Sequence, residues 1–234
     1  MTPEVGVGVE IDVVIPALNA GATLGKTLAA LDEHDGLSIT VIVCDGGSTD
    51  DTVAVARRAG ATVVTAPAGR GVQLAAGAEA GHAAWLLFLH ADTVLADGWA
   101  PVVRGFAARK TNAGKAGYFR LCFDSPDPRA RRIERLAAWR SRALGLPYGD
   151  QALLLSRALH DYLGGFRPMP LMEDVEFVRR IGRRNLVPLG IEARTSAARY
   201  ERDGWLRRPL RNLSCLALYF AGVAPATLQR LYTR

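Results

Sequence analysis

The sequence LLFLHADT at residues 86–93 runs a buried type of strand directly into polar residues. Its first four residues are large and apolar, as expected of a strand that is covered on both faces. His90 and Asp92 follow two positions apart, and in an extended backbone two such side chains point the same way. An imidazole and a carboxylate placed together could hold a divalent cation such as Mg²⁺ or Mn²⁺. From these residues alone an alternative stays open, in which Asp92 caps the next helix and His90 is a hydrogen-bonded core residue.

Apolar runs that alternate with helical patterns predict an α/β fold with a mostly parallel central sheet flanked by helices. The strand candidates are DVVIPA (12–17), SITVIVC (38–44), ATVVT (61–65) and WLLFLH (85–90), and the helical patterns cover 22–34, 48–60 and 71–82. Ser48 and Asp51 stand in capping-box spacing at the start of the second helix. The segments PALNAG, DGGSTDD, APAGRG and HADT follow the strands, so they should meet at the carboxyl edge of the sheet, where ligands bind.

Beyond residue 95 the pattern is less regular. The alternation in GYFRLCFD (117–124) predicts a half-exposed strand, 129–144 a helix, QALLLS (151–156) a short buried strand, and 173–184 an amphipathic helix. The length of 234 residues fits one domain better than two. We therefore expect a single domain over residues 1–234, with about 11–95 and about 96–234 forming the two walls of one cleft.

The composition predicts a folded protein of the cytoplasm. Hydrophobic residues at 49% and charged residues at 22% are ordinary for globular chains. Cys44, Cys122 and Cys215 are odd in number and far apart, which argues against a disulfide framework and a zinc site. The first ten residues lack the features of a secretory signal. The longest uncharged apolar run, LSCLALYFAGVAPA at 213–226, is too short to cross a bilayer but could lie on one.

The net charge of +6 comes almost entirely from arginine, which suits phosphates, nucleic acid or an anionic lipid surface. The arginines are spread along the chain without aromatic residues between them, so nucleic-acid binding is not expected. The hypothesis that the protein only binds a membrane surface is weaker than the hypothesis that it is an enzyme. Peripheral contact with the inner face of the cell membrane, through the basic segment 128–142 or the apolar segment 213–226, remains possible.

Two further segments carry candidate functional residues. In DGGS after the second strand, Asp45 could accept hydrogen bonds from a base or ribose, although Asp-Gly-Gly is also a common turn. In LMEDVEF at 171–177, Glu173 and Asp174 stand at a helix start, where acids are favoured by the helix dipole in any case. Opposite a metal and a diphosphate, one of these acids could take the proton of an acceptor hydroxyl.

Six segments together resemble the family 2 glycosyltransferases with the GT-A fold, in a short bacterial branch. They are VVIPALN (13–19), VCDGGSTDDT (43–52), GRGVQLAAGA (69–78), LLFLHADT (86–93), YGDQALLLS (148–156) and GGFRPMPLMEDVEFVRR (164–180), in the family's order. The resemblance implies a GT-A type nucleotide-diphosphosugar transferase. Such an enzyme moves a sugar from a nucleoside-diphosphate sugar to an acceptor hydroxyl by an inverting displacement, with a divalent metal, Mg²⁺ or Mn²⁺, and an aspartate base.

The resemblance also implies roles for single residues. Asp92 would be the metal ligand, and His90 replaces the family's usual first aspartate, so it either ligates the metal or hydrogen-bonds the nucleotide. Asp174 matches the general base, with Glu173 beside it, and Arg70 would lie near the phosphates. The other implied substrate-binding residues are Pro16, Ala17, Leu18, Asn19 and Asp45 at the base and ribose, Asp150 and Gln151 at the sugar or acceptor, and Gly46 and Gln73.

By the same resemblance, residues 11–95 would be the nucleotide-binding half and residues 96–234 the acceptor-side half. A second enzyme class, nucleotidyl transfer to a sugar phosphate, uses a similar scaffold. It would require a glycine-rich loop that cradles phosphates after the first strand. PALNAG has one glycine, which counts against this alternative.

Overall fold

The structure, a computed structural model, describes residues 8–32 and 36–232, which form an eight-stranded sheet with helices packed on it. The strands are β1 (Val9–Ala17), β2 (Leu37–Asp45), β3 (Thr62–Thr65), β4 (Trp85–Phe88), β5 (Thr93–Leu95), β6 (Ala116–Phe123), β7 (Leu153–Ser156) and β8 (Leu186–Thr195). The α-helices are α1 (Gly21–Ala29), α2 (Thr52–Arg58), α3 (Arg70–Ala80), α4 (Trp99–Ala107), α5 (Pro128–Leu144), α6 (Arg157–Tyr162), α7 (Glu173–Ile181), α8 (Ala198–Asp203), α9 (Arg207–Phe220) and α10 (Pro225–Tyr232).

The first half of the sheet is parallel, as the alternation of strands and helices predicts. Strands run in the order β3-β2-β1-β4, and each neighbouring pair is parallel. Successive residues of β1 bury on opposite faces: Val13 packs with α1 and α4, whereas Val14 packs with α3 and α7. Both faces of β1 are therefore covered, which explains why its sequence is continuously apolar.

The second half makes the sheet mixed. Strands continue in the order β7-β6-β8-β5 from β4, with β4–β7, β6–β7 and β5–β8 antiparallel and β6–β8 parallel. The sequence pattern does not predict β5, β8 or the helices α4, α6 and α8 to α10. β5 has only three residues, and β8 is mostly half-exposed, so neither forms the apolar run by which a strand is recognised.

The predicted helix boundaries need correction at their starts and ends. α2 begins at Thr52 rather than Ser48, and no capping box forms there. Instead Asp50 Oδ1 accepts a hydrogen bond of 3.0 Å from the backbone N–H of Thr52 and a second from its hydroxyl. α1 ends at Ala29, and the last two residues of the predicted helix 22–34 lie outside the described residues. α7 ends at Ile181, before the predicted residue 184.

Cys44, Cys122 and Cys215 are all free and buried. Burial raises the pKa of the Cys44 thiol to about 12, so it is neutral at physiological pH. Across residues 8–32 and 36–232, no helix combines the length and the apolar character needed to cross a bilayer. The cytoplasmic location stays a prediction from the sequence.

An ion pair between the buried Asp12 and the partly buried Arg157 joins β1 to the start of α6. Nη2 of Arg157 lies 2.6 Å from Oδ2 of the buried Asp12. The same guanidinium donates to the backbone oxygens of Ala78 at 2.7 Å and Ala83 at 2.8 Å. The backbone N–H of Ala83 also donates to Asp12 at 2.8 Å. This network joins the parallel half of the sheet to β7, which ends directly before Arg157.

Replacing Arg157 with methionine should destabilise the fold by about 3 kcal/mol, because the Asp12 carboxylate would remain buried without its cation and two carbonyls would lose their donor. Urea unfolding followed by circular dichroism measures this loss. Arg120→Met is the matched control, since Arg120 pairs with Glu192 at the surface and such pairs contribute less than about 1 kcal/mol. Equal losses in the two variants would contradict the structural role of the Asp12–Arg157 pair.

Candidate active site

The loops that follow β1 and β2 are bonded to each other. The Asn19 side chain accepts the backbone N–H of Thr49 at 2.9 Å, and the Asn19 N–H donates to Oγ of Ser48 at 2.8 Å. The backbone N–H of Gly46 donates to the oxygen of Ala17 at 2.9 Å. Asn19 has a φ of 51°, in the left-handed region that asparagine tolerates better than most residues. The two segments predicted to hold the nucleotide thus form one braced unit.

Asp45 and Gln73 support this unit from inside. The buried Asp45 carboxylate accepts the backbone N–H of Ser48 at 3.1 Å. The buried Gln73 donates its amide to the backbone oxygens of Ala17 at 2.8 Å and Cys44 at 2.7 Å, which joins the ends of β1 and β2. The Gln73 amide is therefore bonded to protein groups, and its role as a substrate contact stays a prediction.

The other predicted nucleotide contacts differ in exposure. Leu18 is 49% exposed, whereas Ala17 is buried and Pro16 is partly buried. A Cβ at Gly46 would lie 3.1 Å from Nε2 of Gln73, a separation tighter than most real Cβ contacts. What this loop presents outward is therefore the Leu18 side chain and the backbone beside it.

The HADT segment turns instead of continuing as a strand. β4 ends at Phe88, and the backbone N–H of Thr93 donates to the oxygen of His90 at 3.2 Å, which closes a turn. The extended backbone assumed for His90 and Asp92 is therefore absent. The structure gives the two side chains different surroundings.

Asp92 lies at the edge of the cleft, with its side chain 22% exposed. Its Oδ1 accepts the hydroxyl of Thr195 at 3.5 Å, and its Oδ2 lies 3.8 Å from Nη2 of Arg199. Both contacts are long, so the carboxylate oxygens can still approach a cation closely. Arg199 belongs to the segment 195–213, in which Arg199 and Arg202 are candidates for contact with the phosphates but no residue spacing requires that contact. Arg202, in the same segment, instead pairs with Asp203 at 2.7 Å.

His90 packs against the turn that carries Gly149. A Cβ at Gly149 would lie 2.5 Å from Nε2 of His90 and 3.6 Å from Oδ2 of Asp174, so the imidazole comes this close only because the residue is glycine. The backbone N–H of Gly149 donates to Oδ2 of Asp174 at 2.8 Å. Burial lowers the pKa of His90 well below its usual value, and the charges of Arg70 and Arg199 lower it further. His90 is therefore a neutral imidazole at physiological pH.

Glu173 and Asp174 begin α7 after Met172, which has a φ of 68°. The buried Glu173 places Oε1 3.8 Å from Nη1 of Arg70, the first residue of α3. Burial raises the pKa of Glu173 to about 7, Asp174 adds to this rise, and Arg70 opposes it. Burial on its own would lower the pKa of Arg70, but the carboxylates of Glu173, Asp174 and Asp92 outweigh it and the pKa is raised.

A cavity of about 30 Å³ lies beside these acids, large enough for a water molecule. His90, Gly149, Glu173 and Asp174 form its polar side. The remaining lining is apolar apart from the Tyr148 hydroxyl and consists of Leu74, Phe88, Leu89, Pro147, Tyr148, Leu153, Phe166 and Val178. These apolar surroundings account for the raised pKa of Glu173, since they disfavour a charged carboxylate.

Gln151 points into the protein interior. The side chain is 1% exposed, and its amide donates to the backbone oxygen of Phe119 at 3.1 Å. Its oxygen accepts from the hydroxyl of Ser141 at 2.8 Å and from Nη2 of Arg140 at 3.1 Å. Gln151 therefore braces the loop before β7, and its contact with the sugar or acceptor stays a prediction.

The neighbouring Asp150 is not satisfied in the way that Gln151 is. Its Oδ1 is buried and has no hydrogen-bond partner among the described residues. Burial raises the pKa of Asp150 to about 6, with Arg140 opposing and Asp174 adding to the rise. A buried carboxylate oxygen without a donor is costly, and a hydroxyl of a bound molecule would satisfy it.

The donors at this edge suit a magnesium or manganese ion whose remaining ligands come from phosphate and water. Among residues 8–32 and 36–232, no group of three His, Cys, Asp or Glu side chains is arranged to hold a metal ion. Asp92 provides one carboxylate with only long protein contacts, and His90 provides a neutral imidazole nearby in sequence. In nucleotide sites Mg²⁺ is commonly held by one or two carboxylates together with substrate phosphates.

A parallel half-sheet with braced loops at its carboxyl edge, and acids gathered there around arginine, has the architecture of a nucleotide-binding α/β enzyme. The sequence profile of the family described as "Glycosyl transferase family 2" matches residues 12–171. The chain belongs to this family, and it is a glycosyltransferase that uses a nucleotide-sugar donor.

Solved structures of GT-A glycosyltransferases share the fold. The chain is 24% identical to glucosyl-3-phosphoglycerate synthase from Mycobacterium tuberculosis in complex with Mn²⁺, UDP and glucosyl-3-phosphoglycerate, over 81% of this chain and 71% of that one, with a TM-score of 0.56. With Mn²⁺, UDP-glucose and phosphoglyceric acid bound, the same synthase gives 26% identity, 79% and 71% coverage, and a TM-score of 0.55. A TarS fragment from S. aureus in complex with UDP is 15% identical over 80% of this chain and 60% of that one, with a TM-score of 0.62, which shows the fold alone. No curated protein matches the chain.

The raised pKa of Glu173 predicts how stability depends on pH. The folded protein holds this proton more tightly than the unfolded chain, so stability decreases as pH rises from about 4.5 through about 7. Glu173→Gln removes the buried charge, and above pH 7 the variant should be more stable than the wild type by on the order of 1–3 kcal/mol. Chemical denaturation at pH 5 and at pH 8 measures the difference.

The difference should shrink toward zero near pH 5, where Glu173 is already protonated in the folded protein. Glu79→Gln on the exposed side of α3 is the control, and it should give no pH-dependent difference. A Glu173→Gln variant that is less stable than the wild type at pH 8 would show that the charged form is favoured.

Proposed function

We propose that this protein transfers a sugar from a nucleoside-diphosphate sugar to an acceptor hydroxyl in a single inverting displacement. The observation that carries the proposal is the ion pair of Arg70 with an acid at the start of α7. Arg70 lies 3.8 Å from Glu173, and the charges of Glu173, Asp174 and Asp92 raise its pKa. A cation held beside these carboxylates is suited to a diphosphate leaving next to a base.

The nucleotide would bind to the first half of the chain, about residues 11–95, and the acceptor to the second. The braced loops after β1 and β2 would receive the base and ribose at the exposed Leu18 and the adjacent backbone. Asp45 would act mainly by holding its turn, because its carboxylate already accepts backbone N–H groups. Gly46, which has no side chain, would leave room for the base and ribose at these loops.

Charge that grows on the departing diphosphate would be offset by Arg70 and Arg199. Asp92 would hold the divalent metal, with the neutral His90 as a second nitrogen donor or a hydrogen-bond partner of the nucleotide. The metal, when bound, supplies further positive charge at the diphosphate. The M. tuberculosis synthase was solved with UDP and either Mn²⁺ or Mg²⁺, which supports a metal in this role.

Asp174 would take the proton from the acceptor hydroxyl. Its two oxygens are oriented by the backbone N–H groups of Gly149 at 2.8 Å and Val175 at 2.7 Å. Glu173 would position Arg70 through their ion pair. Asp150, with its unpaired Oδ1, would accept a hydroxyl of the sugar or of the acceptor.

Nucleotidyl transfer is disfavoured by the state of the loop after β1. The backbone N–H groups of Asn19, Ala20 and Gly21 all donate to side chains in the loop after β2 or at the start of α2, which are those of Ser48, Thr52 and Asp50. A phosphate-cradling loop needs such N–H groups to face the ligand. In this loop the three N–H groups are already bonded to protein side chains and do not face a ligand.

Incubation with UDP-, GDP- and dTDP-sugars tests the reaction class. The wild type should release a nucleoside diphosphate from one of these donors, whereas pyrophosphate exchange would favour nucleotidyl transfer. With that donor, Asp174→Asn should reduce release by at least about 10²-fold, because the general base is lost. Binding of the nucleoside diphosphate, measured by calorimetry, should change only a few-fold.

Asp161→Asn, an exposed aspartate on α6, is the control for Asp174→Asn and should leave turnover unchanged. Unchanged turnover in Asp174→Asn would remove this residue as the base. Loss of nucleotide binding together with turnover would assign Asp174 a binding role instead.

Asp92→Asn should weaken nucleoside-diphosphate binding about tenfold or more in the presence of Mn²⁺ and much less in the presence of EDTA, because one anionic ligand of the metal is lost. Calorimetric titrations of the nucleoside diphosphate under both conditions measure this. Asp97→Asn, an exposed aspartate shortly after β5, should bind as the wild type does. An equal loss with Mn²⁺ and with EDTA would mean that Asp92 does not act through a metal.

A further inference from the structure

An exposed apolar stripe runs along α9. Leu206, Leu210, Leu213 and Phe220 are spaced by four, three and seven residues, which places them on one side of the helix. They are between 48% and 72% exposed. Ala217, also exposed, fills the interval between Leu213 and Phe220. A continuous row of large apolar side chains in water indicates a surface that another apolar environment covers.

The opposite side of α9 packs on the protein. Cys215 and Leu216 are buried, and Leu216 packs in the core cluster that contains α7 residues. Leu228 of α10 is fully buried. The described part of the chain leaves the outer side of α9 exposed, apart from Phe220, whose ring centroid lies 5.0 Å from the guanidinium carbon of Arg179.

The charge of this segment identifies the cover. Residues 204–234 contain five arginines and no lysine, aspartate or glutamate, so they supply five of the chain's six net positive charges. Arg208 is buried and pairs with Asp203 at 2.8 Å, which anchors the segment to α8. Arg207 and Arg230 are exposed. An apolar stripe with exposed arginines in a segment free of acids is complementary to an anionic lipid surface.

We infer that the α9 stripe, formed by Leu206, Leu210, Leu213 and Phe220, docks on an anionic phospholipid surface. The helix lies in the plane of the interface, with the stripe among the headgroups and upper acyl chains and the arginines at the lipid phosphates. A second copy of the chain is a poorer occupant, because two segments of the same positive charge would face each other. Membrane docking goes beyond the proposed glycosyl transfer.

Vesicle sedimentation tests the docking surface without requiring turnover, so its outcome is independent of the proposed reaction. The wild type should sediment with vesicles of phosphatidylcholine and phosphatidylglycerol in equal parts, and much less with phosphatidylcholine alone. High salt should weaken the binding by screening the arginines. The double variant Leu210→Ser/Leu213→Ser should partition at least about tenfold less, because two apolar side chains no longer enter the interface.

The matched control is Leu136→Ser/Leu144→Ser on α5, whose leucines are 63% and 51% exposed in the wild type. It should bind vesicles as the wild type does. Leu213→Trp is a second probe, and its fluorescence should shift to the blue on the phosphatidylglycerol vesicles. Circular dichroism confirms that each variant is folded.

The proposal is overturned if the wild type does not bind the anionic vesicles at low salt, or if the α9 double variant binds as well as the wild type. An equal loss in the α5 control would also overturn it, because the binding would then not depend on α9. If sedimentation equilibrium shows a wild-type dimer that the α9 double variant dissociates, with no vesicle binding, the stripe is a contact between copies.

Discussion

Arg70 allows several carboxylates to share one edge of the sheet. Asp92, Asp150 and the adjacent Glu173 and Asp174 come from three separate segments, and without a cation their mutual repulsion would drive them to bind protons. The raised pKa values of Glu173 and Asp150 show that burial already pushes in this direction. Arg70 opposes both shifts, and it can do so because it is the first residue of α3 and projects from the sheet edge that holds the acids.

The parallel half of the fold follows from local sequence patterns. β1 to β4 are short apolar runs separated by helices, and both features are visible in a window of ten or so residues. The second half depends on partners that are distant in sequence. β8 contains Pro188 and Gly190 and is mostly half-exposed, so its strand character comes from pairing with β6 and β5 and not from its own composition.

The site was predictable in position but not in side-chain direction. Topology places the candidate residues at the carboxyl edge, yet the turn after β4 separates His90 from Asp92, and no spacing rule predicts that turn. Gln73 and Gln151 show a second limit, because the sequence does not indicate that their amides donate to backbone oxygens of the protein. Arg199 reaches Asp92 across more than a hundred residues, so no local motif indicates it.

The unpaired Oδ1 of Asp150 has a consequence for discrimination between ligands. A molecule that brings a hydroxyl to this oxygen relieves an energetic cost already present in the protein. An otherwise identical molecule with hydrogen or a methyl group at that point would leave Oδ1 of Asp150 without a hydrogen-bond donor. It would also exclude the water that could otherwise donate to this oxygen. Selectivity built in this way acts by rejecting the deoxy analogue more than by attracting the correct one.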